Sequence, residues 1–104
     1  MDPATIRVAD GGDIDELCRL RLAFIAEVRQ VDPATFDPPF AEVTRAFFRE
    51  AMQADRIRSW LAIVDGHAVG LVSVIVTDAP PLPGRHRARE GYVINLYVAP
   101  DGRR

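Results

Sequence analysis

Apolar residues recur along this chain at two different periods, and the period changes where residues that break regular structure appear. Residues 5–9, Thr-Ile-Arg-Val-Ala, alternate in the manner of a short strand. Asp10-Gly11-Gly12 ends that run. Ile14, Leu17, Cys18, Phe24, Ile25 and Val28 then fall at helical spacing and predict a helix over residues 14–29. Asp13 stands where an N-cap belongs, and Glu16 follows three residues later as in a capping box. Arg21 interrupts the apolar stripe at a position where a hydrophobe is expected.

Residues 30–39 carry Pro33, Pro38 and Pro39 and read as irregular, with Asp37 as N-cap and Pro38 opening the next helix. Phe40, Val43, Phe47, Phe48, Ala51 and Met52 repeat the helical template, predicting a second helix over 40–54. Residues 59–64 form a second strand. Asp65-Gly66 is a two-residue hairpin signal, because a type I′ turn needs positive φ at both central positions. Residues 67–76 form a third strand, residues 77–90 a polar, proline-bearing loop, and residues 91–98 a fourth strand. The order is β-α-α-β-β-β. It implies an α+β fold: a mostly antiparallel sheet with two amphipathic helices on one face, as a single, incomplete domain over residues 1–104. Strands three and four are apolar on both faces, so more cover is expected than two helices supply.

Charge and composition narrow the chemistry. A net charge of −2 gives no basic surface for nucleic acid. The 13 basic residues are all arginine, which excludes a Schiff-base or phosphate-loop lysine within these residues. Cys18 is the single cysteine and lies on the apolar face of the first helix, as a small core residue; a reducing, cytoplasmic setting is expected. The start, Met1-Asp2-Pro3-Ala4-Thr5, does not read as a signal peptide, and no apolar run is long enough to span a membrane. His67, after the hairpin turn, is expected exposed, and His86 lies in the basic loop. With one cysteine, these two isolated histidines have no metal-ligand spacing, so no metal is expected. Ser59 and Ser73 lack a nucleophile-elbow context, and Asp10-Gly11-Gly12 lacks the pattern of a phosphate loop.

The element order, closing on an apolar strand and then Val98-Ala99-Pro100-Asp101-Gly102-Arg103-Arg104, resembles the N-terminal half of the GNAT superfamily of N-acetyltransferases. The segment from Glu90 to Arg104 carries the specific part of that resemblance. Together with Pro80-Pro81-Leu82-Pro83-Gly84 it looks like a common bacterial subgroup of small acetyltransferases. In that family the fourth strand leads into a motif Arg/Gln-x-x-Gly-x-Gly/Ala that binds the coenzyme's pyrophosphate at a helix N-terminus. Arg103 and Arg104 match its first two positions.

The resemblance implies an enzyme that moves an acetyl group from acetyl-CoA, as co-substrate, to a primary amine. The backbones of Leu96, Tyr97 and Val98 would pair with the pantetheine arm as an added strand would, and the Val98 N–H would serve as the oxyanion donor. Arg103 and Arg104 would open the pyrophosphate loop. Many members carry a glutamate base on the fourth strand. The corresponding stretch here, Tyr92-Val93-Ile94-Asn95, has no carboxylate, and Asn95 would orient an amine or a water instead. Arg21, Phe24, Glu27 and Tyr92 would line the acceptor pocket. Plainer readings stand beside these: Leu96 and Val98 as buried side chains, Tyr92 and Tyr97 as core or pocket wall, Arg21 extending its head to water, and the terminal arginines as solvated charge. A non-catalytic module of the same fold, an unrelated α+β domain with the same element order, and self-association through the fourth strand's edge are the further expectations.

Overall fold

The computed structural model describes residues 4–103. Strand β1 (Thr5–Val8) is followed by helices α1 (Ile14–Arg29) and α2 (Pro38–Gln53), then by strands β2 (Ile57–Val64), β3 (His67–Ala79) and β4 (Ala88–Val98). Short 3-10 turns lie at Gly11–Asp13, Pro33–Thr35 and Pro100–Gly102. The four strands form one antiparallel sheet in the order β1-β2-β3-β4, which places β1 and β4 at its edges.

The helices bury their apolar stripes against one face of this sheet. Leu17 and Leu20 of α1 and Phe48 and Ala51 of α2 join Ile57, Leu61, Leu71 and Tyr97 in a single core. Burying a leucine or phenylalanine side chain of this kind contributes about 1.5–3 kcal/mol. Cys18 is buried, as expected of a small apolar residue on that stripe. Helix α1 ends where Gln30 turns left-handed (φ 56°) and returns its N–H to the last carbonyls, those of Ala26 and Glu27. Asp65 and Gly66 take positive φ of 50° and 78° between β2 and β3, the geometry expected of their turn.

Three features depart from the sequence reading. The capping box sits three residues earlier than expected. Asp10 accepts from the Gly12 N–H and the Asp13 carboxylate accepts from the Asp10 N–H, while Asp13 makes no side-chain bond to α1. The cause is Arg7, whose guanidinium grips both Asp13 oxygens at 2.7 and 2.8 Å and turns the carboxylate back toward β1. Glu16 pairs with Arg19 instead. Second, Asp37 takes the N-cap position before α2, as expected, but makes no side-chain cap bond. Proline's fixed φ suits the first helical turn: Pro38 opens the helix as expected, and Pro39 is helical as well.

Third, the β3–β4 hairpin is longer than the apolar pattern indicates. Thr77 pairs with Glu90, Asp78 with Arg89 and Ala79 with Ala88, reducing the predicted loop to residues 80–87. Most side chains in this extension are exposed, so no alternation of apolar and polar residues marks it. Arg89 fastens the extension to the body by donating to the Asp55 carbonyl at 3.0 Å.

On the sheet face away from the helices, Leu96 is 73% exposed and Val98 43% exposed, against the expectation that these side chains are buried. Ile6 and Val8 on β1 are exposed as well. The strands' two-faced apolar pattern is real, but among the described residues only one face is covered.

The Arg7–Asp13 pair sets a pH dependence. The two hydrogen bonds from Arg7 hold Asp13 at about 2, below its ordinary 3.8. A carboxyl depressed in the folded state contributes stability that is complete above its unfolded value and is lost as pH falls through the folded one. Urea unfolding as a function of pH should therefore show stability falling from about pH 4 to about pH 2. Asp13→Asn should lower stability at neutral pH and flatten that limb; an unchanged limb in the variant would assign the acid sensitivity elsewhere.

Candidate active site

Antiparallel pairing decides which backbone groups of β4 are available. Bonded and non-bonded residue pairs alternate along such a ladder. Ala99 donates to the Val69 carbonyl at 2.7 Å, which marks 69/99 as a bonded pair. In the same register Leu71 opposes Tyr97, Gly70 opposes Val98 and Val72 opposes Leu96. Tyr97 thus spends its N–H and C=O on β3. Leu96 and Val98 direct theirs to the open edge of the sheet. Of the three backbones expected to meet a coenzyme arm, two face outward and one is committed to the ladder.

Val98 is held closely at this edge. Gly70 lies opposite it, and a Cβ there would stand 2.9 Å from the Tyr97 carbonyl oxygen, so the close approach of β3 and β4 requires glycine. The turn Pro100–Gly102 folds back onto β3, with Gly102 against Val69 and Val98. Arg103 then reaches back: its Nε donates to the Val98 carbonyl at 2.9 Å, and an Nη donates to Glu27 at 2.6 Å. Its guanidinium lies 5.7 Å from the centre of the Tyr97 ring, and that ring packs on Phe24 at 5.6 Å. Arg103, expected to open a pyrophosphate loop, is here paired with α1. Arg104 lies outside the described residues.

Farther along β4, the register shifts between Ser73 and Val74, opposite Asn95 and Val93, leaving Ile94 as the extra residue of a bulge. Just above that bulge a buried polar row crosses the sheet beneath the helices. Ser59 and Ser73 are register partners whose hydroxyls meet at 2.8 Å, and Ser73 opposes Asn95, which is fully buried. Arg21 of α1 completes the row by donating from Nη1 to Asn95 Oδ1 at 2.6 Å. Its guanidinium is drawn inward to a buried amide, and burial lowers its pKa from the ordinary value. The Asn95 Nδ2 has no hydrogen-bond partner.

Arg21, Phe24 and Glu27, three of the four residues expected at an acceptor pocket, therefore stand together on α1 along β4. An open cavity of about 430 Å³ adjoins Arg21 and Phe24 but not Glu27, and Ile25, Val28, Arg29 and Phe40 complete its lining. Tyr92 stands apart: it is 55% exposed, its hydroxyl donates to Glu90 at 2.7 Å, and it does not line this cavity. The bulge below Asn95 separates the two. The polar row was not foreseen. Its signal was two serines inside apolar strands, which the sequence reading tested only as nucleophiles. Among the described residues no cluster of three or more potential metal ligands occurs, and no helix is long and apolar enough to cross a membrane.

Comparison with known proteins bears on the fold. No family model matches the sequence, and no curated protein sequence matches it. Solved structures do. A predicted acetyltransferase with acetyl-CoA from Clostridium acetobutylicum superposes with a TM-score of 0.76 at 22% identity, over 96% of this chain and 62% of that one. A GCN5-related N-acetyltransferase from Ralstonia eutropha gives 0.64 at 24% identity, over 96% of this chain and 65% of that one. A ribosomal-protein-alanine N-acetyltransferase from Brucella melitensis gives 0.64 at 22%, over 98% and 62%. The chain thus has the fold of the N-terminal part of GNAT acetyltransferases and spans less than two thirds of the length of these structures.

The cluster at the end of β4 yields a titration test. Burial, together with the Glu27 carboxylate beside it, raises the pKa of Tyr97 above the ordinary 10.0. The negative charge opposes a second one on the phenolate. Glu27→Gln should make Tyr97 ionise at lower pH than in the parent protein. Near-ultraviolet phenolate absorbance, with Tyr92→Phe as background, reads this directly; a shift upward, or none, would remove Glu27 from the tyrosine's environment.

Proposed function

We propose that this chain forms the donor-strand half of an acyl-CoA-dependent N-acyltransferase that moves an acetyl group from acetyl-CoA to a primary amine. The observation that carries the reading is the pair of N–H groups of Leu96 and Val98 on the open edge of β4. They lie beside an apolar groove of about 170 Å³ lined in part by Trp60, Val72, Leu96 and Val98. An extended arm bearing two amides would pair along such an edge as an extra strand does. The fold shared with acetyltransferases, one of them described with acetyl-CoA, supports the same reading.

In the transfer, the amine nitrogen bonds to the thioester carbonyl carbon. The tetrahedral oxyanion then collapses with cleavage of the carbon–sulfur bond. The products are an amide and the coenzyme thiol, and the proton lost by the amine balances the one gained by sulfur. In this reading the Val98 N–H donates to the oxyanion. Arg103 holds the next peptide unit by donating to the Val98 carbonyl, which anchors the end of β4 beside that donor. Asn95 bears no base, since an amide does not accept a proton near neutral pH. Glu27 has its pKa lowered by its bond from Arg103 and is correspondingly weak as a base, so water is the reasonable carrier of the amine proton. Tyr97, with its raised pKa, stays protonated at neutral pH and lines the site as a neutral ring.

The same edge would also receive β4 of a second copy. We propose that such pairing competes with the coenzyme, so acetyl-CoA shifts any dimer toward monomer.

Val98→Pro isolates the donor. Proline removes one N–H, and at an outward-facing position of an edge strand it leaves the ladder intact. The variant should fold with unchanged circular dichroism and release coenzyme thiol about 10²–10³-fold more slowly than the parent in an acetyl-CoA assay. Equal rates would sink the role of Val98. Calorimetry with no detectable acetyl-CoA binding to the parent chain would favour a non-catalytic module of the same fold.

A further inference from the structure

Arg21 has a partner of the wrong kind for a buried cation. Among the described residues two arginines are half-buried, Arg21 and Arg45. Arg45 is neutralised twice, by Asp15 at 3.0 Å and Glu42 at 2.7 Å. Arg21 meets the side chain of one neutral amide, through a single bond at 2.6 Å. The nearby acid on its own helix, Glu27, is taken by Arg103.

The amide itself is also short of an acceptor. Asn95 is fully buried, its oxygen is used by Arg21, and its Nδ2 donates to nothing. The interior end of this site therefore holds a guanidinium with unspent N–H groups next to an unspent amide donor. The cavity beside it adds a second arginine, Arg29, and no acid; the rest of its lining is Phe24, Ile25, Val28 and Phe40. A carboxylate in place of the Asn95 amide would have closed this account internally. An asparagine leaves the positive charge available while still fixing where the guanidinium points.

We infer that the amine acceptor of this site also carries a carboxylate, that Arg21 receives that carboxylate, and that the aliphatic body of the acceptor lies on Phe24, Val28 and Phe40. The planar fork of arginine matches a carboxylate through two parallel hydrogen bonds, and partial burial strengthens such a pair relative to the surface. The amine part of this inference rests on the acyltransferase reading above. The carboxylate part rests on the Arg21–Asn95 geometry.

Two matched probes separate these parts. The full chain, labelled with nitrogen-15, is titrated with N-acetyl-leucine and with the neutral N-acetyl-leucinamide while the Arg21 Nε–H and Asn95 Nδ2 resonances are followed. The acid should bind about tenfold more tightly and move both resonances, as expected for one charge-assisted pair. Arg21→Gln, which keeps a hydrogen bond to Asn95 within reach, should abolish the preference, and Arg21→Lys should retain part of it. Equal affinity for the two probes, binding by neither, or a preference that survives Arg21→Gln overturns the inference.

Coenzyme release from acetyl-CoA with leucine and with 3-methylbutylamine reads the other part. Equal turnover of both amines leaves the acyltransferase standing and removes the carboxylate requirement. A carboxylate preference in binding without any coenzyme release keeps Arg21 as an anion site and removes the transferase.

Discussion

A strand in an antiparallel ladder offers its amides alternately to one neighbour and to the other side, and at an edge the other side is open. Everything of chemical interest in this chain follows from where that alternation falls on β4. The close pairing of Gly70 with Val98, and the bonded pair formed by Ala99 and Val69, place the N–H groups of Leu96 and Val98 outward. A shift of one residue would expose Tyr97 instead and turn its ring from the core to the opposite face. The register is held against that shift by side chains rather than by the ladder. Tyr97 is buried against Phe24, and Gly102 closes on Val69 and Val98. Packing on the helix side thus fixes the backbone chemistry on the edge.

The buried polar row obeys the same logic at a different cost. Ser59 and Ser73 satisfy each other at 2.8 Å, a neutral pair that removes little from stability. Asn95 is satisfied only at its oxygen, and an unpaired buried donor costs about 1–3 kcal/mol. A core built only for stability would carry an apolar residue at that place. The amide is retained beside the one half-buried arginine that lacks a carboxylate among the described residues. The penalty is thus concentrated where α1 and the bulged part of β4 meet, at the place proposed above for the acceptor.

Much of this architecture was legible from residue patterns. Helix α1 was read at its observed bounds, because six apolar residues at helical spacing between a glycine pair and a proline segment leave little choice. The Asp65-Gly66 turn was equally plain, since its two positions need backbone angles that few residues tolerate. What escaped had no periodic signature. Arg7 and Asp13 are six residues apart, and their ion pair, which displaced the expected cap, depends on β1 and the turn after it folding together. The outer half of the β3–β4 hairpin is held by backbone pairing with mostly exposed side chains, so its residues read as loop. Leu96 and Val98 read as buried because hydrophobicity reports a preference for cover, and cannot say which element supplies it.

The site was legible in part for the same reason. Arg21 was conspicuous as a charge inside an apolar stripe, and Asn95 as a polar residue where a carboxylate was sought, but their contact spans 74 positions of sequence. Each alone admits a bland account: an arginine can extend to water, and an asparagine can sit in a strand. Together they form a contact that neither residue announces alone. The guanidinium turns inward, toward a fully buried amide, although solvent is available to a side chain of its length. The guanidinium is half-buried and gives one N–H to a neutral amide, which leaves its other N–H groups for water or for a ligand. Glu27 on the same helix is engaged by Arg103, so the carboxylate proposed for the acceptor would be the counter-ion that Arg21 lacks.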